Sequence, residues 1–254
     1  MVTRKSRREI EQMRRAGRVV AEVLDLVEAA LEPGVSTAHL DRLAEAHIRS
    51  AGGTPSFKGY PGINPGRPFP ASLCISIDDE IVHGIPGKRT IRQGQLVSVD
   101  AGAIIDGWHG DAARTFFVGD PPPAVRDLIE TTREAMMAGI AAAVTGNHIE
   151  DISGAVEDVA TAHGFGIIRQ FVGHGIGSEM HEEPQVPNYR TGRRGRTLEP
   201  GLCLAIEPMF TLGSYQAHVL DDDWTVATVD GSLAAHFEHS IALTDHGPEI
   251  LTAI

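Results

Sequence analysis

The sequence has little cysteine, which excludes a fold held together by disulfide bonds. Only Cys74 and Cys203 occur among 254 residues, and they do not form a Cys-x-x-Cys pair. A disulfide scaffold needs several bridges, and a redox motif needs the paired spacing. We therefore expect two free, buried thiols in a protein of the reducing cytosol.

Long apolar runs are also missing. No run approaches the ~20 residues that a helix needs to cross a bilayer. The start of the chain lacks the charged residues followed by an apolar stretch that mark a secretory signal. The sequence predicts a cytoplasmic protein with no membrane segment.

Positive charge is in the minority. The chain has 22 Lys and Arg against 34 Asp and Glu, a net charge of −12. This balance argues against DNA or general nucleic-acid binding, which needs a basic surface, and is compatible with cation binding. The length suits one sizeable core, so we predict a single domain over residues 1–254, with residues 1–9 as an N-terminal extension.

Capping signals predict two helices at the start of the chain. Ser6 and Glu9 form a capping box, apolar residues follow at helical spacing, and Pro33-Gly34 stops the helix. A second helix begins near Ser36 and ends at Gly52-Gly53. Two further helical patterns cover residues 124–144 and 149–163.

Extended patterns alternate with these helix pairs. They cover residues 73–77, 95–105, 167–172, 203–210, 224–228 and 234–243. The order is helix, helix, strands, and then the same again. We predict an α+β domain with a largely antiparallel sheet, outer helices and pseudo-twofold symmetry.

The most informative stretch surrounds Asp106-Gly107, a dipeptide typical of a type I′ hairpin turn. Counting outward from this turn places Gly102 opposite Asp111. Asp100 then lies on the same face as Asp111 and diagonal to it. Two aspartates aimed at one point repel each other unless a cation lies between them, and Gly102 and Gly110 leave it room. The alternative is a pair of exposed strand carboxylates.

Other candidate ligands occur in similar settings. His174 lies in a glycine-rich bend, and Glu207 and Glu238 each interrupt an apolar strand pattern. Taken singly, each has an ordinary alternative, a loop histidine or a salt-bridge partner. Together with the aspartates they form an oxygen-rich set with one nitrogen, which suits Mn²⁺, Fe²⁺ or Co²⁺ rather than structural zinc. Four carboxylates favour two ions, which can share and acidify a water molecule.

The complete pattern resembles the type I methionine aminopeptidases over about residues 10–252. The matching strings include Cys-Ile-Ser-Ile, Val-His-Gly-Ile-Pro, Asp-Gly-Trp-His-Gly-Asp, Gly-His-Gly-Ile-Gly, His-Glu-Glu-Pro, Ile-Glu-Pro-Met and Trp-Thr-Val. The matching site positions, in chain order, are His83, Asp100, Asp111, His174, His181, Glu207 and Glu238.

The resemblance implies a fold, a reaction and a metal centre. The fold is the pita-bread fold, and the reaction is hydrolytic removal of the N-terminal methionine from peptides and nascent proteins. Asp100 binds one divalent ion, His174 and Glu207 bind the other, and Asp111 and Glu238 bridge them. The ions are Co, Mn, Fe or Zn, and which of these is native stays open.

The resemblance also implies roles outside the metal ligands. His83 and His181 donate hydrogen bonds to the substrate and the developing oxyanion, and Glu207 moves a proton to the leaving amine. The methionine pocket contains Tyr60, Cys74 and Trp224. This chain departs from the family at three pocket positions and in a longer loop between Ile63 and Ser72. Those three positions are Phe57, Ile63 and Met180.

One tension accompanies the pocket assignment. A strict hairpin at Asp230-Gly231 would point Trp224 away from the face that carries Glu238, and a bulge would be needed to reconcile them.

Two other hypotheses share this fold. One is a proline-directed peptidase, but such enzymes usually carry an extra N-terminal domain, for which the helix near Ser6 leaves no room. The other is a binding protein without catalysis, which typically lacks some of the ligands. We expect a monomer. Six basic residues near the start are a candidate ribosome contact, or else a solvated helix face. They are Arg4, Lys5, Arg7, Arg8, Arg14 and Arg15.

Overall fold

The computed structural model describes residues 2–62, 64 and 66–254. Helix α1 (Arg7–Ala30) begins after Ser6, where the predicted capping box with Glu9 is formed. Helix α2 (Thr37–Ser50) begins after Ser36, whose side chain accepts from the His39 N–H. The predicted starts of both helices are confirmed, because capping is decided by neighbouring residues.

The second helix pair repeats the first. Helix α3 (Pro123–Ala142) has a proline in its first turn, a position that does not need the missing N–H. Helix α4 (Ile149–His163) ends at Gly164, which has a left-handed backbone with φ of 74°. The sequence predicted these two helices to within two residues at each end.

Fifteen strands lie within the described residues, and most of them join one sheet. Their bounds are β1 Thr54–Pro55, β2 Leu73–Ile77, β3 Glu80–Val82, β4 Leu96–Ile105, β5 Trp108–Phe117, β6 Gly166–Ile167, β7 Gly173–Gly175, β8 Glu182–Val186, β9 Cys203–Ile206, β10 Met209–Thr211, β11 Ala217–Val219, β12 Val226–Thr228, β13 Ala234–His236, β14 Glu238–Thr244 and β15 Gly247–Ile250. The main sheet has the order β1-β4-β5-β14-β9-β7-β8, with β2 beside β4 and β15 beside β14. Its strand pairs are antiparallel.

Two predicted strands are wrong in their continuity. The strand predicted over 203–210 breaks after Ile206, and the one predicted over 234–243 breaks at Phe237. At these breaks both segments leave the main sheet, and they continue as β10 and β13, which pair in a three-stranded sheet. Pro208 has no N–H for a central ladder. The strand predicted over 167–172 is also wrong, since only Gly166–Ile167 is extended before β7.

The helix pairs cover one face of the main sheet and leave the other face free for a site. Alternate residues of β4 pack beneath α1 and α2, including Val97 and Val99 with Leu24. The intervening positions Ser98 and Asp100 point to the opposite face, because side chains alternate along a strand. The second core lies between α3, α4 and strands β9 and β14. The predicted α+β arrangement is confirmed.

Among residues 2–62, 64 and 66–254, no helix combines the length and the apolar composition that crossing a membrane requires. Neither Cys74 nor Cys203 is in a disulfide, and both are buried.

Candidate active site

The hairpin of β4 and β5 positions the two aspartates as predicted. Asp106 and Gly107 have φ values of 49° and 81°, the positive angles that a type I′ turn requires. Gly102 pairs with Asp111 in the resulting register. Asp100 therefore lies diagonal to Asp111 on the same face of the sheet.

Pairing across neighbouring strands adds a glutamate and a histidine to that face. Glu238 pairs with Ala113, which itself pairs with Asp100 on the other side. His174 pairs with Ala205 on β9. Residues that pair directly share a face of the sheet. The two alanines are small, so the longer acidic and imidazole side chains beside them have room to converge.

Glu207 joins the group from the end of β9. Its carboxylate Oε1 lies 3.6 Å from His174 Nε2, and its side chain is 14% exposed. Asn188 Nδ2 donates to the Glu207 carbonyl oxygen over 3.1 Å. The residue that follows β9 and the residue that begins β14 are thus both acidic, and both lie at the break where the two segments leave the main sheet.

The environment of His174 decides which ring nitrogen is available. Its Nδ1 lies 2.8 Å from the Gly175 carbonyl oxygen, which can only accept, so Nδ1 carries the proton. Nε2 then presents its lone pair, 3.9 Å from Asp111 Oδ2. Burial lowers the pKa of His174 to about 3, which keeps the ring neutral. A neutral imidazole with its other nitrogen hydrogen-bonded is typical of a metal ligand.

The four carboxyl groups are held in a place that opposes their ionisation. Burial raises the pKa of Asp100 to about 7 and that of Glu207 to about 8. Burial first, and then the neighbouring carboxylates, raise the pKa values of Asp111 and Glu238 well above their ordinary range. Such a cluster destabilises the fold at neutral pH unless a positive charge offsets it.

Unsatisfied oxygen atoms indicate where that charge belongs. Within the part of the chain that the structure describes, three carboxylate oxygens are buried without a hydrogen-bond partner. They are Asp100 Oδ1, Asp111 Oδ1 and Glu238 Oε1. One ligand atom each from Asp111, His174 and Glu238 lies within 4.8 Å of the others. Oxygen ligands with one imidazole fit a divalent cation of intermediate hardness.

A cavity of about 130 Å³ opens beside this cluster and is closed by apolar side chains. Cys74 pairs directly with Asp100, so the wall of the cavity continues the sheet face that carries the ligands. Trp224 packs edge-on against Phe69 with ring centroids 5.1 Å apart, and its indole N–H donates to the Arg67 carbonyl oxygen. The lining of the cavity also contains Phe57, Tyr60, His83, Met180 and His181.

The two histidines predicted to bind the substrate, His83 and His181, line both this cavity and a second one. His83 has a φ of 61°, and burial lowers its pKa to about 4, so it is neutral. His181 Nδ1 lies 2.6 Å from the Tyr60 hydroxyl. The second cavity, about 220 Å³, is lined by both histidines and also by Phe171 and His236.

Comparison with known proteins places this geometry in a family. The sequence profile of metallopeptidase family M24 matches residues 11–245. The chain belongs to metallopeptidase family M24. A methionine aminopeptidase of Clostridium acetobutylicum is 50% identical over 253 residues, which cover 99% of each chain.

Solved structures agree with the M24 assignment. The methionine aminopeptidase of Thermotoga maritima matches with a TM-score of 0.95 and 40% identity, over 100% of both chains. A prolidase of Pyrococcus furiosus matches with a TM-score of 0.80 at 21% identity, over 99% of this chain and 65% of its own. The second likeness shows the fold alone. The predicted resemblance and the pita-bread fold are confirmed.

One expectation about the surroundings of this M24 site is wrong, and one tension is resolved. Gly110 does not make room for a cation, because a Cβ there would lie 2.6 Å from the Gly17 nitrogen of α1. Gly110 lets the helix approach the other face of the sheet. The tension over Trp224 disappears because β12 pairs with β11 and β3, not with β13, so Asp230-Gly231 does not join paired strands. Ile63 lies outside the described residues.

Sequence reasoning missed His236. This residue is 2% exposed, and its Nε2 lies 3.7 Å from Glu207 Oε2. Its position two residues before Glu238 puts it on the site face only if the chain continues as a strand, and the break at Phe237 removes that guide. Phe69 was missed because it lies in a segment with no strand or helix pattern.

Proposed function

We propose that the chain removes the N-terminal methionine from peptides and nascent proteins by hydrolysis with two divalent metal ions. The observation that carries this proposal is the position of the ligand cluster at the end of a small, apolar cavity. A flexible, unbranched methionine side chain suits such a cavity, and its peptide bond then lies beside the ligands. The methionine aminopeptidases at 40–50% identity support this assignment.

We assign the metal ligands as the sequence suggested. Asp100 holds one ion, and His174 with Glu207 holds the other. Asp111 and Glu238 would be shared, which is supported by their place on β5 and β14, the strands that lie between β4 with Asp100 and β7 with His174. When bound, Co, Mn, Fe or Zn ions in such a set act as Lewis acids and lower the pKa of water.

The two histidines supply hydrogen bonds where charge develops. Burial raises the pKa of Tyr60, so its hydroxyl stays protonated and donates to His181 Nδ1. The proton of His181 is then on Nε2, where it is available to an oxyanion. His83 is neutral and offers an N–H from the other side of the rim.

Glu207 is placed to move a proton. Its carboxylate lies between the ligand cluster and the second cavity, where it can accept a proton from the attacking water and deliver it to the leaving amine. The rest of the peptide lies in the second cavity, whose lining includes Glu207, Phe171 and Gln170.

Cleavage of short peptides tests the proposal. We expect protein reconstituted with Mn²⁺, Fe²⁺, Co²⁺ or Zn²⁺ to release methionine from Met-Ala-Ser and to leave Xaa-Pro dipeptides intact. Preferential cleavage of Xaa-Pro bonds would identify a proline-directed peptidase. Absence of both turnover and bound metal would identify a binding protein.

The proposed substrate also indicates partners and location. We propose that a monomer acts on nascent chains in the cytoplasm. The basic residues near the start give little support to a ribosome contact, since Arg14 lies 2.7 Å from Glu249 and Arg15 lies 2.7 Å from Asp106. Neutralising Arg7 and Arg8 should leave ribosome co-sedimentation unchanged, and a loss would support the contact.

A further inference from the structure

The segment before α1 is joined to the site by a buried ion pair. Lys5 Nζ lies 2.6 Å from Glu182 Oε2, and the two side chains are 4% and 9% exposed. Thr3 Oγ1 donates to the same oxygen over 2.5 Å. Lysine is almost never this buried unless it is paired. The pairing joins residues that are 177 positions apart.

Glu182 also closes the turn that precedes it. Its Oε1 accepts from the Glu179 N–H over 3.4 Å, and Gly177 N–H donates to the Glu179 carbonyl oxygen over 3.1 Å. The packing is tight, because a Cβ on Gly177 would lie 2.4 Å from Lys5 Cε. The turn over residues 177–182 is therefore built around the carboxylate that Lys5 neutralises.

This turn carries His181 to the rim of the site. His181 directly precedes Glu182, and its ring is edge-on to Tyr60 and 4.3 Å from the ring of His174 between centroids. His181 is an exposed residue, so its place depends on the turn and on the hydrogen bond to the Tyr60 hydroxyl. A shift of the turn moves the ring relative to the ligands.

We propose that Lys5 is a positioning residue for His181. The inference rests on the proposed function, in which His181 donates to the oxyanion. Without its ammonium partner the Glu182 carboxylate is left as a buried, uncompensated charge, and it rotates toward water. The turn then loosens, and His181 loses its place.

The first test compares Lys5→Met with Arg7→Met. Methionine keeps the unbranched stem of Lys5 and removes the charge. Arg7 lies 3.5 Å from Asp245, and both side chains are largely exposed, so its loss is a matched control. We expect Lys5→Met to lower kcat on Met-Ala-Ser by about 100-fold, the usual cost of misplacing a catalytic group by about 1 Å. Arg7→Met should have no effect.

A second measurement does not depend on activity. In metal-free protein, Lys5→Met should speed amide hydrogen exchange at Gly177 and Glu179, whose N–H groups bond within the turn. Metal affinity should stay unchanged, because the five ligands lie on other elements. Unchanged exchange at these two amides would overturn the proposal.

A double-mutant cycle separates positioning from plain stability. If Lys5 acts through His181, adding Lys5→Met to His181→Ala should lower kcat little further. An equal loss of kcat in both backgrounds would overturn the proposal, as would a lower melting temperature with an unchanged kcat.

A double variant without either charge keeps the test valid if the single variant misfolds. Lys5→Met with Glu182→Gln removes both buried charges and keeps an oxygen that accepts from the Glu179 N–H. We expect this pair to regain part of the lost kcat, and a kcat no higher than that of Lys5→Met contradicts the proposal. Wild-type cleavage of Met-Ala-Ser in the same assay tests the proposed function separately.

Discussion

The side-chain hydroxyl of Ser240 bonds both backbone polar groups of Asp111. The Asp111 N–H donates to Ser240 Oγ over 3.1 Å, and Ser240 Oγ donates to the Asp111 carbonyl oxygen over 2.8 Å. The same pattern recurs further along β5. There the Thr115 hydroxyl accepts from the His236 N–H and donates to the His236 carbonyl oxygen. Hydroxyl groups thus replace ladder bonds where β5 and the chain of β13 and β14 separate, and Ser240 ties one proposed ligand to the strand of another.

Replacing Ser240 with alanine should weaken metal binding without removing a ligand. The change leaves the buried polar groups of Asp111 unpaired, which costs about 1–3 kcal/mol of unfolding free energy. Loss of a supporting partner typically lowers metal affinity about 10- to 100-fold. Calorimetric titration with Mn²⁺ and thermal unfolding measure the two effects.

Ser153→Ala is the matched control for that prediction. Ser153 is also fully buried, and its hydroxyl donates to the Ile149 carbonyl oxygen within α4, away from the carboxylates. We expect its metal affinity to equal that of the unchanged protein. Equal losses in the two variants would show that Ser240 does not act on the site.

Asp111→Asn should abolish methionine release and keep the fold. The neutral amide no longer balances a shared cation, while the metal-free variant should melt at a higher temperature, because one buried, repelling charge is gone. Asp106→Asn on the same hairpin is the control, since Asn-Gly also suits its turn. Near-normal turnover of Asp111→Asn would be incompatible with a bridging ligand.

Metal-free protein should lose stability as the pH rises from about 7.5 to about 8.5. Burial raises the pKa of Asp100 from 3.8 to about 7 and that of Glu207 from 4.5 to about 8. In this range the folded state holds protons that the unfolded state has already released, so the free energy of unfolding falls with pH. Near pH 6.5 the buried histidines, whose pKa values are lowered from 6.5 in the folded state, oppose this fall, because half of them are still protonated in the unfolded state. Above about pH 7.5 they are neutral in both states and no longer oppose it.

Thermal unfolding with and without metal tests this pH dependence. Saturating Mn²⁺ should flatten the curve, because the bound cation keeps the carboxylates ionised in the folded state. The metal-free Asp111→Asn variant should show a smaller fall. A melting temperature that rises between pH 7.5 and 8.5 in the absence of metal contradicts the predicted pKa directions.

Tyr60→Phe should lower kcat by roughly 3- to 10-fold, the rate equivalent of one ordinary hydrogen bond. Without the phenol, the proton of His181 is no longer held on Nε2. Steady-state kinetics on Met-Ala-Ser measure the change. The control is Tyr215→Phe, which removes a hydroxyl from an exposed ring that stacks on Arg169. Equal kinetics for Tyr60→Phe and the unchanged protein would remove the role assigned to Tyr60.

Local signals in the sequence were sufficient to predict the bounds of the helices and the shared face of the first two ligands, Asp100 and Asp111. The caps at Ser6 and Ser36 depend on residues three positions away, and the Asp106-Gly107 turn determines the register of its own hairpin. Once that register is known, alternation alone puts Asp100 and Asp111 on one face. The remaining ligands were candidates from their local settings, and the family resemblance, not the geometry of this chain, assigned them to one metal centre.

The tertiary structure decided the rest, because strand pairing joins residues that are far apart in the chain. The breaks beside Glu207 and Phe237 depend on two strands leaving one sheet together. Gly110 was misinterpreted because a glycine in a strand does not show which neighbour comes close. Lys5 resembles any surface lysine until its partner, 177 positions away, is known. Local chemistry determined the elements and their caps, and distant pairing determined which side chains meet.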